Sequence, residues 1–557
     1  MGKIQVHKMM LAMAALSLTG LSACSASTMQ PATPDRALPV VDINAYQRDV
    51  EVLASDQFGG REPSTAGEIK TIDFLVDSFK AAGLVGGNNG SFLQDVPLVA
   101  ITAESATPLQ FRSGDTEVTL EMGREAVAWT KRVTDEVNVV SSDLVFVGYG
   151  IVAPEYGWND YAGLDVAGKT VVILVNDPGF ATGDDALFRG RAMTYYGRWT
   201  YKYEEAARQG ATGAIVIHET EAAGYPWTVV AGGWTGAQYD LERADNNAGR
   251  AVFEGWISTG AARRLFSAFG HDLGALTERA ARTGFKPVTM NGTVNVSIQN
   301  SLQRSKSRNV IAMLPGTVAA DETVAFSAHW DHLGTKTSTR GDGIFNGAVD
   351  NATGTAALLE MARVMAQREH RRSVLFVAVT AEESGLLGSA WFADNPTVSL
   401  GKMAGLINID AMQPNGPTND VVVIGYGSSE LEGILGAAAD RQGRKLVVEP
   451  TPEKGFFYRS DHFNFAKQGV PVLYAKAGVE HQENGSDYGL KKAAEYVSQR
   501  YHSPADEVSE NWDWRGIEQD LTLYLEVAQQ LANSAYWPNW YVGNEFKAKR
   551  DLSADQR

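Results

Sequence analysis

Six residues of the types that handle metals and protons stand in short polar phrases of this chain: His329, Asp350, Glu382, Glu383, Asp410 and His502. They stand in the phrases HWDHLG, NGAVDNATG, TAEESGLLGS, NID and YHSPAD. Carboxylates crowded together without a cation repel and raise one another's pKa. A pair of divalent ions removes that penalty. Imidazole and carboxylate with no thiolate suit zinc in an open catalytic site. Two histidines, two terminal carboxylates and one shared carboxylate are the minimum for two such ions.

Most of these residues end an apolar run. Thr323–Ala328 leads into His329, Ser373–Val379 into Glu382 and Glu383, and Leu406–Ile409 into Asp410. Short runs rich in Val, Ile and Phe read as buried parallel strands. In an open α/β sheet the carboxyl ends of the strands form the ligand edge. Three strands therefore deliver one histidine and three carboxylates to one edge. Asp350 opens a helix over Thr353–Gln367, whose Ala357, Leu358, Met361, Ala362 and Met365 make an apolar stripe. Taken singly each residue has a plainer reading: a surface hydrogen bond for His329 and Asp331, a solvated helix start for Glu382 and Glu383, an N-cap for Asp350. The case rests on their joint occurrence.

The five phrases, in this order, resemble metallopeptidase family twenty-eight, which holds di-zinc bacterial aminopeptidases, glutamate carboxypeptidases and, more distantly, glutaminyl cyclases. The resemblance implies an α/β fold: a mixed, mostly parallel sheet flanked by helices (the zinc exopeptidase fold). It implies two zinc ions, with His329 and Asp410 on one, Glu383 and His502 on the other, and Asp350 bridging. Glu382 is then the general base. Asp331 orients His329, and Tyr501 matches a tyrosine that stabilises the tetrahedral intermediate in parts of the family. The resemblance also implies a cis peptide between Asp350 and Asn351. His332 is read as a neighbour that shapes the site, and His462 as structural or supporting.

The rest of the chain sets the context. Its 557 residues suit more than one domain. The formal charge of −17 argues against a nucleic-acid partner. Residues 1–23 carry Lys3, Lys8 and a short apolar core, the pattern of a targeting segment. Leu21-Ser22-Ala23-Cys24 resembles a bacterial lipobox, and Cys24 is the sole cysteine. Lipidation of Cys24 would anchor an exported protein to the membrane. Ser25 in place of Asp favours the periplasmic face of the outer membrane in a Gram-negative cell. Residues 24–41 read as a tether, 42–136 as the first part of the peptidase domain and 298–557 as its second part. Residues 137–297 contain GYGIVAPEYGWNDYAGLDVAGKTVVILVNDP and KYEEAARQGATGAIVIHE, which resemble a β-rich protease-associated domain inserted between them. Arg61 and Glu62 suit a structural role as well as a place at the substrate rim. The tail beyond Trp537 turns polar and is expected to be mobile, and a loop is expected to carry the chain from Ala475 to Tyr501.

The expected activity is that of a zinc aminopeptidase: a metal-activated water cleaves the N-terminal residue from a peptide, with Glu382 moving the proton. A carboxypeptidase or dipeptidase of the same scaffold needs a cationic pocket, for which Arg459 is the nearest candidate. A non-catalytic receptor-like module should have lost ligands or base, and here all are present. No Gly-x-Ser-x-Gly elbow supports a serine hydrolase.

Overall fold

The computed structural model describes residues 40–337 and 341–557. Helices α1 (Ile43–Leu53) and α2 (Ala66–Ala81) come first. The long strand β1 (Val288–Leu314) leads to β2 (Ala319–His329), α3 (Thr353–Met365), β3 (Arg372–Val379), β4 (Met403–Asn408), β5 (Val472–Ala477) and α4 (Arg515–Asn533). Strands β3, β2, β4 and β5 lie side by side in parallel. The end of β1 runs antiparallel along β3, and Asp420–Val423 runs antiparallel along β5. This is the mixed, mostly parallel sheet expected.

Both faces of the sheet are covered. Along β3, Val374, Phe376 and Ala378 enter the core beneath α1, α2, α3 and α4. Leu375 and Val377 enter a second core with Phe392, Phe465 and Trp540. That alternation is the period of two of a strand. Every residue of β3 is buried, as is every residue of α3 except Arg363. Burial on both sides explains the continuous apolar runs in the sequence. Each fully buried Leu or Phe contributes about 1.5–3 kcal/mol, so these strands are the stable floor under the site.

A further core is formed wholly by residues 109–298, among them Phe111, Phe146, Ile215, Phe253 and Phe266. Leu109, Phe111, Leu120 and Ala126, assigned by sequence to the first peptidase part, pack there instead. In this region Glu136–Phe146, Thr170–Leu174, Gly213–His218 and Phe253–Ser258 are parallel neighbours. Strand β1 crosses from one region to the other without a break, paired along Leu93–Ala106. The sequence boundary at residue 297 thus falls inside a strand.

Two local expectations change, and the open reading of Arg61 is decided. The tail is packed: Trp540, Phe546 and Arg550 are buried, and the Trp540 indole N–H donates to the Gly469 carbonyl at 3.0 Å. Its polar composition hid widely spaced anchors. The path to Tyr501 includes a helix, Gly485–Gln499, of which only Tyr496 is buried. With one inward residue it carried little apolar periodicity. Arg61 is internal and structural: it donates to the carbonyls of Leu53, Trp330, Asn346 and Gly347 at 2.6–3.0 Å. The expected leader, Cys24 and most of the tether lie outside the described residues. Among the described residues no helix is long and apolar enough to cross a membrane.

Candidate metal centre

The three strand ends do converge. His329 closes β2, Glu382 and Glu383 follow β3, and Asp410 follows β4. Two of these exits turn through a residue in the left-handed region, Ala381 (φ +52°) and Ala411 (φ +56°), and His502 is itself left-handed at φ +54°. Such backbone costs about 1–2 kcal/mol for a residue with a Cβ, so the surrounding packing holds these turns. Each redirects the chain sharply over the sheet edge.

Asp350 arrives from the other side, between Gly347 and α3. Gly347 is left-handed, and a Cβ there would strike the Asp350 carbonyl and the His332 ring. A Cβ on Gly354 would strike the Asn351 side chain and the Ile409 carbonyl. The Asn351 amide reaches Ile409 O at 3.1 Å and accepts from Ala411 N at 3.1 Å, tying the start of α3 to the end of β4. The Asp350–Asn351 peptide is cis.

The side chains form two sets across Asp350. On one side His329 Nε2 lies 3.3 Å from Asp350 Oδ1 and 3.7 Å from Asp410 Oδ1. On the other, His502 Nε2 lies 3.3 Å from Asp350 Oδ2 and 3.0 Å from Glu383 Oε2. Two ligands at 2.0–2.2 Å from one tetrahedral ion stand about 3.3–3.6 Å apart. The two separations from Asp350 fall at that spacing, the 3.7 Å to Asp410 lies just beyond it, and the 3.0 Å between His502 and Glu383 is an ordinary N–H···O length. The pair His332 Nδ1 and Glu383 Oε1 at 2.7 Å is different. That is a hydrogen bond, so His332 steadies Glu383, although its nitrogen also lies near Asp350.

Supporting contacts fix these groups. His329 Nδ1 is 3.1 Å from the backbone carbonyl of Asp331, so Nδ1 donates and Nε2 keeps its lone pair for the site. Asp331 therefore orients His329 through its main chain. Its carboxylate, 3.8 Å from Nδ1, instead accepts from the N–H groups of Glu382 (3.1 Å) and Glu383 (3.4 Å). Asp506 accepts from the N–H groups of Val349 and Asp350 at 3.0–3.2 Å. Ser460 donates to Asp410 Oδ2 at 2.6 Å and accepts from Asn408, whose amide oxygen accepts from Ser327. Asp506 and Ser460 had no role in the sequence reading, though Asp506 stands in the quoted phrase YHSPAD and Ser460 lies two residues before His462. His462 is fully buried between Phe457 and Tyr474.

The electrostatics favour added positive charge. Burial pushes the Glu382 carboxyl up, and the neighbouring Glu383, Asp461 and Asp410 add to the rise against His329. Burial alone would lower His502, but Asp350 and Glu383 raise it to about 10. Against burial, their histidine neighbours hold Asp350, Glu383 and Asp410 below the usual carboxylate range, so the site draws protons onto Glu382 and the imidazoles.

Tyr501 stacks on the His502 ring at 3.8 Å. Burial and the nearby carboxylates raise its pKa, which keeps its hydroxyl a donor. Glu382, Glu383, Tyr501 and His502 open into a cleft of about 980 Å³. Its far wall comes from the region of residues 109–298, including Tyr203, Trp234 and Tyr239.

Residues 309–528 match the profile of Peptidase family M28. A stretch of 128 residues is 30% identical to a probable zinc metalloprotease of Pyrenophora teres f. teres (strain 0-1), covering 22% of this chain and 26% of that protein. Another of 120 residues is 34% identical to aminopeptidase NAALADL1 of Rattus norvegicus, covering 20% of this chain and 15% of that protein. The chain thus spans about a quarter or less of these relatives' length. Among solved structures, an aminopeptidase from Aneurinibacillus sp. strain AM-1 aligns over 89% of this chain and 95% of its own, at 18% identity and a TM-score of 0.47.

Proposed function

We propose that the protein is a zinc aminopeptidase with two ions held across Asp350, a reading supported by the match of residues 309–528 to Peptidase family M28. The observation that carries this reading is the pair of histidine–carboxylate sets meeting at the two oxygens of one aspartate. The donor chemistry fits zinc: two imidazole nitrogens aimed inward, three carboxylates and no thiolate. His329 and Asp410 would hold one ion, Glu383 and His502 the other.

Zinc bound there supplies a Lewis acid for the scissile carbonyl and acidifies water. The remaining steps belong to the chain. Glu382, beside His329 and Asp410 but outside the bridged sets, takes a proton from the attacking water and delivers it to the leaving nitrogen. The Asp331 carboxylate, bonded to the N–H of Glu382, keeps that base in place. The Tyr501 hydroxyl, at the cleft wall, donates to the oxyanion that forms on the substrate. His502 is 37% exposed, so substrate enters from its side.

The same centre would also serve a carboxypeptidase or dipeptidase. A panel of aminoacyl anilides and N-blocked peptides separates the readings. Rapid release of anilide from free-amine substrates, with N-acetylated ones inert, is the expected result. Cleavage of N-blocked peptides from the carboxyl end would reverse the assignment, and no hydrolysis of either class would leave the receptor-like reading.

We further propose that Cys24 is lipidated and holds the protein at the outer membrane. In a Cys24→Ser variant the protein should leave the membrane fraction while its hydrolytic activity persists. Unchanged membrane retention and processing would reject the anchor.

A further inference from the structure

Glu449 is a buried carboxylate with one oxygen unused. It follows the strand Lys445–Val448 and is 6% exposed. Its Oε1 accepts from the Gly425 N–H at 2.9 Å, while its Oε2 is buried with no partner among the described residues. A buried acceptor without a donor is costly, and more so when it carries charge. Burial pushes the Glu449 carboxyl up, against the pull of the Gly425 N–H and the positive charge of Arg189.

Glu449 lines a second cavity, of about 200 Å³. No residue of the metal centre lines it. Its walls come from three remote stretches of the chain, with Arg189 and Met193 on one side, Gly425 and Glu449 on another, and Asn544 in the tail. Arg189 donates one N–H to the Tyr426 carbonyl at 2.7 Å, which leaves it donors to spare. It is near enough to act on the charge of Glu449, yet among the described residues no ion pair joins the two. The other nearby acids are committed. Glu432 accepts from the N–H groups of Gly427 and Ser428, and Glu545 accepts from the Tyr458 hydroxyl and the Tyr195 N–H. Val448, Phe457 and Phe546 make the remaining wall apolar.

We propose that this cavity binds a free α-amino acid with an apolar side chain, its ammonium on Glu449 and its carboxylate on Arg189. An unpartnered carboxylate oxygen and a guanidinium with unused donors, set apart in one small apolar cavity, match a zwitterion group for group. A divalent ion asks for several oxygen ligands, and here it would meet one free carboxylate and the repulsion of Arg189. The cavity is also smaller than the roughly 300–1,000 Å³ that drug-sized ligands occupy. Molecules of the proposed class are what an aminopeptidase releases, but the site's chemistry stands without that reading. Tyr458 lines both this cavity and the cleft of the metal centre, so the two share a wall residue.

The test is equilibrium dialysis of the zinc-loaded protein with labelled L-leucine. Leucine held at the metal centre is a separate class of binding, which substitutions in this cavity leave alone. Glu449→Gln, whose amide oxygen can still accept from Gly425, and Arg189→Gln should each weaken one class of leucine binding by about tenfold or more, the scale of a hydrogen bond to a charged group. Hydrolysis of free-amine anilides should stay at the wild-type rate in both. Isopentylamine and isocaproate, which each lack one of leucine's two charges, should compete poorly for that class. Leucine binding unchanged in both variants would place all of it at the metal centre and overturn the proposal. Competition by isopentylamine as strong as by leucine would leave a bare ammonium site and overturn it too, as would the absence of any leucine binding. Failure of the peptidase reading shows separately, as absent anilide hydrolysis, and leaves the dialysis result to stand by itself.

Discussion

Glu382→Gln should retain zinc and lose nearly all turnover. Glutamine has the shape of glutamate and keeps the backbone N–H that Asp331 accepts at 3.1 Å. It cannot take a proton from water at neutral pH. Positioned general bases contribute about 10²–10⁴-fold, so kcat should fall by that order. The measurement pairs zinc content by mass spectrometry with single-substrate kinetics. The outcome is informative because the geometry offers a rival role. Glu382, His329 and Asp410 have ligand atoms within 4.8 Å of one another. A variant that loses one zinc would make Glu382 a ligand and remove it as the base.

Asp350→Ala should lose metal as well as activity. Its two oxygens face different histidines, each at 3.3 Å, so one substitution damages both sets. Replacing a residue that merely supports a ligand typically lowers metal affinity about 10–100-fold, and a shared ligand should exceed that. A thermal readout adds a second check. Zinc at about 100 times its Kd stabilises a folded protein by about 2.7 kcal/mol. Wild-type protein stripped by chelation should regain that stability on adding zinc, while Asp350→Ala should gain little at the same concentration. Two tightly bound ions in the variant would contradict the bridging role.

Much of this centre was legible before any coordinates. Val, Ile and Phe runs ending in His329, Glu382 and Asp410 are what a parallel sheet buried on both faces requires. Side chains just beyond the strand ends must then share one edge. The repeat of Ala357, Leu358, Met361 and Met365 fixed α3 as a helix packed on that sheet. The choice of His and carboxylate without thiolate pointed to zinc. These are local properties: period, burial and ligand type reside in a few consecutive residues.

What the tertiary structure decided depends on distances between remote parts of the chain. Only the fold shows that His332 spends its Nδ1 on Glu383, or that Asp331 serves His329 by its carbonyl and Glu382 by its carboxylate. Asp506 and Ser460 gained roles because a loop and a helix start bring them to Asp350 and Asp410. The tail and the helix Gly485–Gln499 were misread because their few buried anchors are too widely spaced to make a period.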